Sequence, residues 1–276
     1  MDEMGERDII IIGSGPAGLS AAINAKVRNK NVLVISNDPS ESWLYKAEKI
    51  NNYLGLPGVS GKELIEAFNA HAAGSGIDIV HGKVLNVMPF GDVFMVGYGS
   101  EVVNSKAVII AAGVVQSVTY KGEQELLGRG VSYCATCDGM LYRGKTVCVA
   151  GDSPDLKTEV DYLKEIGCNV QQVEGKIIEI KGSAKLETVI TDRGEIPCDG
   201  LFVLRKTIAF DTLMPGIENE NGHIRVNRSM ETSVKGVFAA GDCTGKPLQV
   251  AKAVGEGLVA GLAAAGYIDE LAAQKK

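Results

Sequence analysis

Residues 8–12, DIIII, form an apolar run too short for a helix and too continuous for a half-exposed strand, which predicts a strand buried on both faces. GSGPAGLSAAINAKVRN follows as a turn and a helix, and NVLVIS (31–36) as a second, parallel strand, so residues 8–36 form a βαβ unit. GKELIEAFNAHAA (61–73) has helical spacing and stops at Gly74-Ser75-Gly76. From 77 to 112 three β segments, IDIVHGKVLNVM, DVFMVGYG and EVVNSKAVIIAAG, predict a meander whose last strand joins the first sheet. A second strand–turn–helix–strand pattern begins at Thr146 to Val149, passes Gly151, and continues through a helix bearing Val160, Leu163 and Ile166. The chain returns with GVFAAGDC (236–243), and an Ala/Gly-rich helix is expected over 247–265. The polar tail, 266–276, is expected to fray.

This order predicts a discontinuous α/β protein. One Rossmann-like domain is made from residues 1–113 and 206–276, and residues 114–205 are inserted as a second, shortened Rossmann-like domain. A chain of 276 residues has room for both. The formal net charge is −6 and no basic run exists, which argues against nucleic acid. MDEMGERD has no apolar signal region and no apolar stretch approaches membrane-spanning length, so a cytoplasmic protein away from membranes is expected.

Gly13, Ser14, Gly15, Pro16, Ala17 and Gly18 satisfy G-x-G-x-x-G between a strand and a helix. Gly13 permits the tight turn, Gly15 lets backbone approach a pyrophosphate, and Gly18 lets helix and strand pack closely. The helix N-terminus offers amide donors and a positive dipole. The acidic ribose ligand usual near residue 36 is replaced by Ser36-Asn37-Asp38, leaving Ser36 or Asn37 to contact an adenosine ribose. At the far end, GVFAAGDCTGKP resembles the second flavin motif of two-dinucleotide-binding flavoproteins, with Gly241 and Asp242 at the ribitol position. VIIAAG (108–113), ending in Ala112 and Gly113, matches the strand-and-glycine element between the two motifs. Three elements in that order predict FAD.

Six cysteines are present, and only Cys134 and Cys137 have reactive C-x-x-C spacing. No second C-x-x-C or histidine pair completes a zinc site, and the three histidines (His71, His81, His223) are scattered, so no metal is expected. The pair reads as a redox disulfide, with Asp138 placed to give or take a proton. Cys148 alternates with Val147 and Val149 and reads as core.

SYCATCDGMLYRGK lying between two FAD motifs resembles the low-molecular-weight thioredoxin reductases, over nearly the whole chain. INNYLGLPG (50–58) matches their flavin-contacting segment, with Asn52 at the matching asparagine. GKPLQVAKAVGEG (245–257) matches the helix under the flavin, with Gln249 and Val250 at its start. The resemblance implies a two-domain flavin disulfide reductase fold and a homodimer. It also implies that Cys137 lies next to the flavin, that Cys134 attacks the thioredoxin disulfide, and that Asp138 is the acid.

The inserted domain departs from NADPH-using members of that family. Its turn reads GDSPDL, with one glycine, a proline at 154 and two aspartates, Asp152 and Asp155. Where those members carry an arginine cluster for the 2′-phosphate, this chain has VQQVEGK: Gln171, Gln172 and Glu174, with Lys176 as the only nearby cation. AAINAKVRNK, YCATCD, DGLFVL, GHIRVNR, ETSVKGVFAAGDCTGKP and KAVGEG are similar to the ferredoxin-dependent flavin thioredoxin reductases, a clade that lost nicotinamide binding. That resemblance implies electrons from reduced ferredoxin, stored on FAD and passed through Cys134–Cys137 to thioredoxin. Lys246 and Lys252 are candidate contacts for the ferredoxin. Two alternatives stay open: an NADPH-dependent thioredoxin reductase with a degenerate site, and a flavin-bearing redox sensor without turnover.

Overall fold

Ile9, Ile10 and Ile11 have no exposed surface and Ile12 has 6%, because the strand they form lies between two others and is covered on both faces. The computed structural model describes residues 6–42, 44–113, 120–133, 135–153, 156–205 and 209–274, and leaves the Cys137 side chain outside that description. The chain divides into two compact units, 1–115 with 209–276, and 116–208.

The first unit begins with β1 (Arg7–Ile12), α1 (Pro16–Val27), β2 (Val32–Ser36) and α2 (Gly61–Gly74). It continues with β3 (Asp78–His81), β4 (Val84–Phe90), β5 (Val93–Tyr98) and β6 (Glu101–Ile110). Ser60 caps α2 in a reciprocal pair with Glu63, each side chain bonding the other's backbone N–H. The sheet order is β3-β2-β1-β6-β5-β4. The segment 77–88 is therefore two strands on opposite edges of the sheet rather than one limb of a meander. After Gly82, whose N–H bonds the Ser36 carbonyl beside β2, the chain leaves for the other edge. The ten residues of β6 are shared between partners: its first half is antiparallel to β5, and its second half runs parallel to β1.

The inserted unit contains β7 (Val131–Ser132), α3 (Ala135–Asp138), β8 (Thr146–Gly151), α4 (Leu156–Glu165), β9 (Asn169–Gln172), β10 (Ile177–Lys181), β11 (Thr188–Thr191), β12 (Gly194–Pro197) and β13 (Gly200–Leu204). Its parallel sheet has the order β7-β13-β8-β9, and β10-β11-β12 form a separate antiparallel sheet. Successive residues of β8 serve different cores. Val147 and Val149 pack with α3 and α4 residues, while Cys148 and Ala150 pack with Ile177, Ile180 and Val189. Cys148 is a core residue, as its alternation predicts.

The chain then returns to the first unit through α5 (Phe210–Leu213), the short pair β14 (Asn219–Glu220) and β15 (His223–Ile224), β16 (Val237–Ala239) and α6 (Val250–Gln274). β16 adds to β6 in parallel. α6 starts three residues later than expected and runs through the tail expected to fray. Ile268 is 6% exposed, Tyr267 and Leu271 pack on the core, and Asp269 pairs with Lys30 and Arg28 of the α1 end. α1 and α6 meet along small residues. A Cβ on Gly257 would stand 2.1 Å from the Ala17 carbonyl oxygen, and one on Gly261 2.4 Å from that of Ala21. The approach is close enough for the Ser20 hydroxyl to donate to the Val254 carbonyl at 2.8 Å. No helix among the described residues is long and apolar enough to cross a membrane.

Candidate active site

The glycine turn after β1 is held from within its own unit. Gly13 has φ +108°, and a Cβ there would lie 2.4 Å from the Ala111 carbonyl oxygen; a Cβ on Gly18 would lie 1.8 Å from that of Gly13. Both glycines are therefore required by strand–helix contact. Gly15 differs. Its φ of −74° suits any residue and nothing lies within 4 Å of where its Cβ would be. It caps α1 with no side-chain hydrogen bond, Pro16 follows in the first turn, and the first turn carries no acidic residue. An open space before a bare helix N-terminus suits an anion. The Ser36 hydroxyl accepts the Ser14 N–H at 3.0 Å and lies 2.9 Å from the Ser14 hydroxyl, so Ser36 braces the turn; Asn37 follows it, half-buried.

Across β6, β16 leads into Gly241 and Asp242. Gly241 has φ +87°, and its Cβ would crowd the Ala17 methyl at 2.8 Å. Two α6 side chains fix this turn. Glu256 accepts the Gly241 N–H and the Thr244 hydroxyl at 2.9 Å each, and the Lys252 ammonium donates to the carbonyls of Gly241 (2.8 Å) and Gly245 (2.6 Å). Lys252 also pairs with Glu256 at 3.2 Å with only 15% of its side chain exposed, which removes it as a docking cation; Lys246 is exposed. Neither Glu256 nor the structural use of Lys252 was expected from sequence, where an i,i+4 Lys–Glu pair reads as a solvated helix face.

Asp242 Oδ1 is buried and has no hydrogen-bond partner. Burial raises the Asp242 pKa, an effect that Lys252 opposes and Glu256 reinforces. A buried carboxylate oxygen without a donor is costly. A polyhydroxyl chain supplies the missing donor, so the residues present fit the flavin predicted from the motif. The neighbouring Cys243 thiol, wholly buried against the Ile110 and Ala240 carbonyls, is pushed up to about 12 and stays protonated. The Asn52 amide donates to Gln249 Oε1 at 2.5 Å, bringing together two residues far apart in sequence. Val250 opens α6 beside Gln249. Ala112 and Gly113 follow β6, and Gly113 (φ +71°) has open space at its Cβ position.

In the inserted unit, Ala135 to Asp138 form the short helix α3. The Ala135 N–H donates to Glu159 of α4 at 3.0 Å, and the Ser132 hydroxyl to Asp138 Oδ2 at 2.6 Å. Asp138 is thus held by the strand that precedes the cysteine pair. Cys134 and the Cys137 side chain lie outside the described residues. Met140 and Leu141, just beyond Asp138, are 55% and 69% exposed.

The second glycine turn contrasts with the first. Gly151 has φ +138°, and a Cβ there would lie 1.9 Å from the Leu204 carbonyl oxygen, so contact with β13 alone accounts for this glycine. Pro154 and Asp155 lie outside the described residues. Gln171 and Gln172 end β9. Lys176 is not the only cation near this position: Arg193, from the β11–β12 turn, reaches Glu174 at 3.0 Å. Sequence spacing hid Arg193 because the hairpin that delivers it was not anticipated.

The model of the pyridine nucleotide-disulphide oxidoreductase family matches residues 7–154 and 158–257. A thioredoxin reductase of Bacillus subtilis (strain 168) is 33% identical, over 96% of this chain and 95% of its own. Among solved structures, a ferredoxin-flavin thioredoxin reductase from Clostridium acetobutylicum is 42% identical, covers 99% of both chains and superposes with a TM-score of 0.89. A thioredoxin reductase from Gloeobacter violaceus is 28% identical with a TM-score of 0.81, over 96% of this chain and 95% of that one. The chain belongs to the pyridine nucleotide-disulphide oxidoreductase family and, within it, to the low-molecular-weight thioredoxin reductases, and it is a flavin disulfide oxidoreductase.

Proposed function

We propose that the protein reduces a thioredoxin disulfide with electrons from reduced ferredoxin, through FAD in the first unit and the Cys134–Cys137 pair of the inserted unit. The contrast between the two turns carries this reading. Gly15 leaves open space before the α1 N-terminus where a pyrophosphate would sit, whereas the single glycine of the second turn is consumed by the Leu204 carbonyl. The likeness to the Clostridium acetobutylicum ferredoxin-flavin enzyme supports the same assignment.

In this reading Gly13 to Gly18 and the α1 N-terminus hold the pyrophosphate, and Ser36 and Asn37 the adenosine ribose. Ala112, Gly113, Gly241 and Asp242 hold the ribityl chain, and Asn52, Gln249 and Val250 border the flavin ring. When bound, FAD supplies exchange of single electrons with an iron–sulfur donor and of electron pairs with a disulfide. The Cys134 thiolate attacks one sulfur of the thioredoxin disulfide, forming a mixed disulfide and releasing the other sulfur as thiolate. The Cys137 thiolate then attacks the Cys134 sulfur, closing the Cys134–Cys137 bond and freeing thioredoxin as its dithiol. Asp138, oriented by Ser132, delivers a proton to the departing thiolate. The exposed Met140 and Leu141 give thioredoxin an apolar landing beside the pair.

Anaerobic mixing of the flavin-loaded protein with NADPH, NADH and reduced ferredoxin, each followed by flavin absorbance, tests the donor. Bleaching by reduced ferredoxin alone is expected. Rapid, saturable bleaching by micromolar NADPH would replace ferredoxin with a nicotinamide donor.

A further inference from the structure

One carboxylate in the inserted unit serves three separate segments. Glu123 is 1% exposed, and its two oxygens grip the Arg205 guanidinium as a bidentate pair at 2.5 and 2.6 Å. Oε1 also accepts the Tyr133 hydroxyl at 2.8 Å, and Oε2 the Tyr120 backbone N–H at 2.9 Å. The Arg205 guanidinium lies over the Tyr120 ring, 4.8 Å from its centroid.

The places these residues hold in the chain give the cluster its interest. Tyr120 is the first described residue after the chain enters the inserted unit, and Arg205 the last before it leaves. Tyr133 directly precedes Cys134. Tyr133 and Arg205 also follow the C-terminal ends of β7 and β13, which are paired in parallel. The C-terminal edge of a parallel sheet is where α/β proteins place their chemistry. A buried ion pair is weak evidence of stabilisation, because desolvation offsets its attraction; what it supplies is direction. Bidentate and charge-assisted hydrogen bonds hold their partners in one geometry where apolar packing would let them slide.

We propose that Glu123 is a positioning residue that locks the segment bearing the Cys134–Cys137 pair in register with both points where the chain enters and leaves the inserted unit. Its catalytic consequence rests on the thioredoxin-reducing reading above: electron transfer through the pair needs that register, and a neutral side chain at 123 loosens it by weakening the bidentate grip on Arg205.

The test uses the full-length, flavin-loaded protein as wild type, as Glu123→Gln, and as Glu123→Gln combined with Arg205→Gln. The double variant replaces the ion pair by two neutral amides that can bond each other. Amide hydrogen exchange is expected to rise by roughly tenfold together in 120–127, 131–138 and 200–205 of the single variant, and not in α4. With dithionite-reduced protein, the limiting rate of flavin reoxidation by thioredoxin is expected to fall by roughly tenfold at unchanged half-saturation, and to recover to within about threefold in the double variant. Faster exchange confined to 120–127, an equal rise in α4, or a limiting rate that the double variant does not recover overturns the proposal. If thioredoxin does not reoxidise even the wild-type flavin, the functional reading fails, and hydrogen exchange alone still decides for or against the lock.

Discussion

At the scale of single residues, Asp242 stands out for a buried carboxylate oxygen that no donor among the described residues meets. Its folded-state pKa is raised, chiefly by burial. In the flavin-free protein its contribution to stability is therefore fully present below the ordinary carboxylate range and lost as pH rises through the raised value. Asp242→Asn removes this pH dependence. The flavin-free variant should melt roughly 2–4 °C higher than flavin-free wild type at pH 8, with the gap closing toward pH 4, while retaining less FAD. Calorimetry across that range checks it, and a gap that does not change with pH contradicts it. The turns that carry Gly15 and Asp242 were each legible in the sequence, because in each a strand runs into a glycine turn within a few residues. Glu123 was not. Its partners Tyr120, Tyr133 and Arg205 come together only when β7 and β13 pair, and no spacing announces that. Arg193 was hidden for the same reason, behind a hairpin whose strands alternate too briefly to be read with certainty.

At the scale of elements, the βαβ opening and the capped α2 were legible because each is fixed by its own period and end signals. The C-terminal helix was misjudged because its last turns look polar in isolation. They fold because Tyr267, Ile268 and Leu271 reach the core and Asp269 meets Lys30 and Arg28, contacts that tertiary structure supplies. A chain ending at residue 265 should accordingly lose stability of about 2–4 kcal/mol in urea unfolding of the flavin-loaded protein. An unchanged midpoint would mean that the last turns are dispensable. The meander was half legible: alternation marked β4, β5 and β6 as strands, but alternation does not say to which edge of a sheet a strand goes.

At the scale of the whole molecule, a net charge of −6 bears on the proposed donor, because ferredoxins are generally acidic. Docking then depends on local cations, and with Lys252 committed to the Gly241–Gly245 turn, the exposed Lys246 is the candidate that remains of the two. Flavin reduction by ferredoxin should slow as ionic strength rises from about 0.05 to about 0.3 M, and Lys246→Glu should raise the half-saturating ferredoxin concentration several-fold. Stopped-flow titration checks both, and a Lys246→Glu protein indistinguishable from wild type at low salt removes Lys246 from the docking surface. The seam between α1 and α6 also sets a timetable for synthesis. Ser20 and the Val254 carbonyl it bonds are 234 residues apart. At about 5–20 residues per second, α1 leaves the ribosome roughly 10–50 s before the helix that covers it. The whole inserted unit emerges within that interval, and the edge of β6 stands open from its own synthesis until β16 follows. The small-residue face of α1 therefore waits for its cover until Gly257 and Gly261 close on Ala17 and Ala21.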